Sequence, residues 1–126
     1  MSLRTPIARA KGLGSAKEGV SHWWAQRVTA VALVPLTLWF VIAILGLTTA
    51  DHSAVVAWIS SPIRAALLVL FLVALFYHAK LGLQVVIEDY VHHEGAKTAS
   101  LIATTFVIYF LGATAIVAVL KIAFGG

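Results

Sequence analysis

Two stretches of this chain run without a charged residue, Val28–Leu47 for twenty residues and Thr98–Leu120 for twenty-three. A helix needs roughly 20 mostly apolar residues to cross about 30 Å of hydrocarbon, and each stretch meets that length alone. Between them, Arg64–Ile87 is also long enough to cross, although it carries His78 and Lys80. Composition agrees with a lipid solvent. The chain is 61% hydrophobic and 11% charged, with a mean hydropathy of +0.98, whereas soluble domains are about half apolar and about a quarter charged. With 126 residues the chain is too short to hide that much apolar surface in its own core. The expectation is an all-α integral membrane protein with three transmembrane helices, over about 24–48, 63–88 and 98–122.

The charges set a direction. Arg4, Arg9, Lys11, Lys17 and Arg27 precede the first apolar run, a topology signal rather than a nucleic-acid surface. An N-terminus on the inside collects these five together with Lys97, against Arg64 and Lys121 outside. That asymmetry predicts an N-terminus inside and a C-terminus outside, read as cytoplasmic and periplasmic in a multi-pass protein of a bacterial inner membrane, with the mitochondrial inner membrane as the lesser alternative. Residues 1–20 read as a basic cytoplasmic tail and 21–126 as one three-helix domain. The tail lacks the apolar core of a removable signal peptide. The chain has no cysteine, which excludes disulfides and thiolate-held clusters within it.

Pro35 falls inside the first run, where a local kink is expected and tolerated. Residues 48–62 and 88–97 read as connections. Trp23, Trp24 and Trp58 fall near the interfaces, where aromatic anchors collect. Ala30, Ala43, Gly112, Ala113 and Ala115 are small residues suited to close helix contact.

Depth sorts the five histidines. His78 is about nine residues from the inner end of its span, roughly 14 Å below the surface. An ionisable side chain there is costly and marks a functional site; an interhelical hydrogen bond and an axial bond to haem iron are the two roles open to it. Gly82, one turn on, lies on nearly the same face and clears space for a flat macrocycle or a close neighbour. Lys80 faces elsewhere, with a stem able to snorkel to the inner surface. His22, His52, His92 and His93 all lie nearer the membrane edges, so a bis-histidine haem site needs its second histidine from another chain. Asp89 is three turns from His78 on the same face, and Tyr90 follows at the membrane boundary. The phenol is either an interfacial anchor or a hydrogen-bond donor to a quinone carbonyl. Arg27, at the start of a span, is either a positive-inside anchor or the partner of an anionic group such as a haem propionate.

The pattern His78-x3-Gly82-x6-Asp89-Tyr90-Val91-His92, preceded by Ser21-His22-Trp23-x3-Arg27, resembles the smaller hydrophobic membrane-anchor subunit of succinate dehydrogenase, respiratory Complex II. The resemblance covers almost the whole chain. It implies haem b held jointly with a second membrane-anchor (cytochrome b) subunit, with His78 as this chain's axial ligand. It implies ubiquinone hydrogen-bonded by Tyr90 beside Asp89, with Arg27 near the quinone and propionate region. It also implies docking of an iron–sulfur subunit and a flavoprotein subunit, which carry the succinate chemistry. Lys80 and Glu88 depart from the family pattern. An anchor of a quinol:fumarate reductase, or a structural or assembly protein whose His78 bonds only a neighbouring helix, are the competing readings. A small transporter is disfavoured because all five acids lie outside the spans.

Overall fold

The computed structural model describes residues 5–11 and 13–125, and for residues 8, 9, 11 and 13–18 the backbone alone. Arg4 and the side chains of Arg9, Lys11 and Lys17, part of the basic cluster, lie outside the described residues. Every regular element described is helical: α1 (Pro6–Lys11), α2 (Leu13–Leu47), α3 (His52–Ile59), α4 (Pro62–Tyr90) and α5 (Glu94–Ala123).

Three segments are long and apolar enough to span, Gly19–Leu47, Pro62–Tyr90 and Glu94–Ala123, of 29, 29 and 30 residues. At 1.5 Å per residue each is about 44 Å long, which matches a bilayer with its headgroup layers, about 40–45 Å. The chain is an all-α membrane protein. The helix α2 runs unbroken through Pro35.

Two short connections set the geometry. Asp51 caps α3, its Oδ1 accepting from Ala54 N at 2.8 Å and from Ser53 Oγ at 2.9 Å. The backbone N–H at Ala54, then the Ser53 hydroxyl, hold the Asp51 carboxyl below its ordinary range. The 48–62 connection therefore contains a two-turn helix, where the sequence reads only loop and helix-start residues. At the other end, α4 and α5 are separated by Val91–His93 alone. His93 caps α5, its Nδ1 accepting from Ala96 N at 3.2 Å. Glu88, Asp89 and Tyr90 remain helical, so the connection is far tighter than the 88–97 loop expected.

The central helix is α4, which packs against both α2 and α5. Ala65, Leu68, Phe71, Ala74 and Leu81 of α4 are buried, with Ile108 and Gly112 of α5. Phe71 stacks on Phe40 of α2 at 4.7 Å between centroids, and Trp39 of α2 stacks on Trp58 of α3 at 5.7 Å. Elsewhere the apolar side chains point outward: Val31 is 73% exposed, Ile63 75% and Phe106 71%. In water such a surface would aggregate; in lipid it is the ordinary exterior.

At Gly112, α5 packs tightly against α4. A Cβ there would stand 3.3 Å from Phe76 Cγ. Gly112→Leu therefore forces the helices apart, and we expect a loss of about 1–3 kcal/mol, read as a lower thermal midpoint of the purified protein. An unchanged midpoint would show that this contact does not set the α4–α5 distance.

Candidate functional site

The site grows from one hydrogen bond between helices. Thr29 Oγ1 of α2 stands 2.9 Å from His78 Nδ1 of α4. The same oxygen donates to the carbonyl of Ala25 at 2.7 Å, with Gln26 O at 3.1 Å. A threonine hydroxyl has a single proton, and both backbone acceptors lie on the helix that carries it. With that proton on a backbone carbonyl, the oxygen is able to accept from His78 Nδ1–H, and in that tautomer Nε2 keeps a free lone pair. Ligating histidines are commonly oriented in this manner, by a hydrogen bond from the other ring nitrogen.

From this bond toward the end of α4, the facing surfaces of α2 and α4 open into a groove of about 430 Å³, lined by His22, Trp23, Gln26, Arg27, Gly82 and Val85 among others. Gly82 is its floor. A Cβ added there would meet nothing nearer than Gln26 Nε2 at 3.9 Å, so the chain itself leaves the space above Gly82 open. Two polar atoms at the groove, His22 Nε2 and Gln26 Oε1, are buried and have no hydrogen-bond partner among the described residues. Buried polar atoms are costly without a partner, so both look to a group outside the described residues.

The residues singled out from sequence fall into two sets. Arg27 lines the α2–α4 groove, its guanidinium over the Trp23 ring, 5.3 Å from the centroid, and His78 lies one turn before the lining residue Gly82. Trp24 meets Trp23 edge to face at 5.1 Å. Asp89 and Tyr90 do not line the groove. They occupy the last two positions of α4, and Tyr90 is 77% exposed. From His78 to Tyr90 is twelve residues, about 18 Å along the axis.

Thr29 and Gln26 were not legible as site residues. A threonine in a spanning helix ordinarily bonds its own i−4 carbonyl, which conceals any second use of the hydroxyl. Only the register between α2 and α4 reveals that use. Lys80 also differs from its expected pose. Its Nζ lies over Tyr109 at 5.4 Å and Tyr77 at 6.0 Å, and so does not run toward the Tyr90 end of α4. The reason is general: helical side chains lean toward the helix N-terminus, and in α4 that direction leads away from Tyr90.

Comparison with known proteins adds the lineage. The family model for the succinate dehydrogenase/fumarate reductase transmembrane subunit matches residues 1–119. The succinate dehydrogenase hydrophobic membrane anchor subunit of Rickettsia bellii is 38% identical over 100 residues, 79% of this chain and 80% of that protein. The subunit of the same name from Rickettsia conorii is 36% identical over 107 residues, 83% and 85% of the two chains. That of Paracoccus denitrificans is 32% identical over 121 residues, 96% and 93%. With three spanning helices in the order the sequence predicts, and a match that runs through both motifs, the chain belongs to the succinate dehydrogenase/fumarate reductase transmembrane subunits, among their hydrophobic membrane anchors.

Proposed function

We propose that the chain is the membrane anchor of a succinate:ubiquinone oxidoreductase of a bacterial inner membrane, with its N-terminus on the cytoplasmic side. In this reading it holds haem b jointly with a second anchor subunit, forms part of the ubiquinone site, and fastens the iron–sulfur and flavoprotein subunits to the membrane. The observation that supports the reading is the Thr29–His78 contact, which gives an imidazole deep in a span an orienting partner for one ring nitrogen and leaves the other without one among the described residues.

The residues fit a haem on chemical grounds. His78 Nε2 faces no acceptor or donor of this chain among the described residues, Gly82 keeps the adjacent surface bare, and His22 and Gln26 hold unpartnered polar atoms beside it. When bound, haem b supplies a one-electron centre in a low-dielectric layer. The chain's own part is to orient the imidazole through Thr29, to hold water away with the packed faces of α2 and α4, and to place the Arg27 cation toward a carboxylate. At the end of α4, the Tyr90 phenol donates a hydrogen bond to a quinone carbonyl, and the Asp89 carboxylate supports proton delivery beside it.

Thr29 offers the direct test. Thr29→Val keeps the shape but removes the oxygen that accepts from His78 Nδ1–H. In the purified complex, haem retention should weaken roughly 10- to 100-fold, the usual effect of losing such an orienting partner, while Thr29→Ser retains it. If the valine variant holds haem as the parent does, His78 is not oriented for ligation by this bond.

A further inference from the structure

Lys80 is absorbed by neither the groove nor the Asp89–Tyr90 pair. It lies ten residues before the end of α4, about 15 Å along the axis, whereas a headgroup layer is only about 5–8 Å deep. A charge at such depth is expensive unless paired. The long stem would ordinarily carry the amine to the nearer surface. Here it does the opposite, with the half-buried residue placing Nζ between the Tyr77 and Tyr109 rings. Ring faces attract a cation but offset only part of its desolvation.

No carboxylate among the described residues meets it. The five acids are Glu18, Asp51, Glu88, Asp89 and Glu94, all at or beyond the ends of the spans. Glu88, on the same helix, is eight residues on, about 12 Å along the axis, and already accepts from Gln84 Nε2 at 2.9 Å. A second copy of the chain, inserted the same way, has no acid to offer at this depth either. Yet the surroundings are shaped for an occupant. On the Tyr77 side, the seam between α4 and α5 opens into an apolar groove of about 300 Å³ along Phe76, Ile108, Gly112 and Ile116. On the other side lies a smaller hollow of about 170 Å³ edged by Gln84, Thr104 and Thr105. Lys80 belongs to both.

We infer that this seam seats a transmembrane helix of a partner subunit, one that brings an aspartate or glutamate to the depth of the Lys80 amine. Depth favours a protein carboxylate over a lipid phosphate: a spanning helix carries its carboxylate to this level, while a headgroup would have to be drawn well into the hydrocarbon. The apolar groove receives the side chains flanking the acid, and Tyr77 and Tyr109 screen the ion pair from lipid. The inference rests on the chain's membership of a multi-subunit family and is independent of the haem and quinone assignments.

Substitution separates the possibilities by sign. A lysine facing only lipid is a burden, so Lys80→Met leaves the assembly as stable or makes it more so. A lysine paired with a partner carboxylate is different, because its loss strands a buried charge. The assembled complex is purified with Lys80→Met, Lys80→Gln and Lys80→Arg and placed in nanodiscs of phosphatidylcholine alone or with added phosphatidylglycerol. Its dissociation on heating is then followed. The seam as inferred requires a roughly tenfold shorter lifetime of the assembly for the Met and Gln variants, equal in both lipids, with Arg close to the parent. Unchanged or longer lifetimes overturn it. A deficit that appears only with the anionic lipid also overturns it, and assigns the seam to a headgroup.

Discussion

Purified complex carrying His78→Leu should lose the optical and paramagnetic signature of low-spin, six-coordinate haem, with about tenfold or more less of that species than the parent. The leucine has no nitrogen to offer, and no other histidine of this chain can take its place. His22, the nearest in the groove, lies toward the surface end of α2, and His52, His92 and His93 are at the helix ends. Collapse of the fold does not account for such a result. In His78→Leu the Thr29 hydroxyl still donates to Ala25 O, so α2 loses no internal bond, and the aromatic contact of Phe40 with Phe71 further along the same helix pair is untouched. The variant should therefore assemble. An unaltered spectrum and midpoint potential in assembled His78→Leu complex would end the ligand assignment and return His78 to the role of a helix–helix bond.

Tyr90→Phe should cut quinone reduction by about a hundredfold, the range for removing one positioned proton donor, while succinate oxidation by an artificial dye continues at the parent rate. The split matters more than the size. Tyr90 is 77% exposed and its phenol has no hydrogen-bond partner among the described residues, so phenylalanine removes nothing the fold relies on. Dye reduction reports the soluble subunits and their docking; quinone reduction adds the end of α4. Equal rates in both assays would leave Tyr90 as an interfacial anchor. Equal losses in both would place the residue in docking rather than in quinone chemistry.

The spanning architecture was legible because it rests on length and charge, both of which a sequence displays openly. His78 stood out for the same reason, as a titratable group where lipid was expected. What remained hidden depends on register between helices. Thr29 looks like any hydroxyl in a span until α2 is laid against α4. The groove at Gly82 needs the Gln26 side chain opposite it to be seen at all. The α3 helix was concealed by its length, eight residues, too few to show a period, although Asp51 three residues before Ala54 is a recognisable cap in retrospect. Lys80 shows a subtler loss. Depth in the membrane invites snorkelling to the nearer surface, while the lean of helical side chains toward the N-terminus points the other way, and the two tyrosine rings decide between them.

The three-residue connection after α4 has a further consequence. Because Asp89 and Tyr90 remain helical and His93 immediately caps the next helix, His78 and Tyr90 are marks on one rigid ruler, about 18 Å apart and about 120° apart in bearing. Losing or gaining a single residue between them would shift Tyr90 by only about 1.5 Å but swing it by about 100°. For the site proposed above, a substitution at either mark changes its chemistry alone, while an insertion or deletion between them changes the bearing of one against the other.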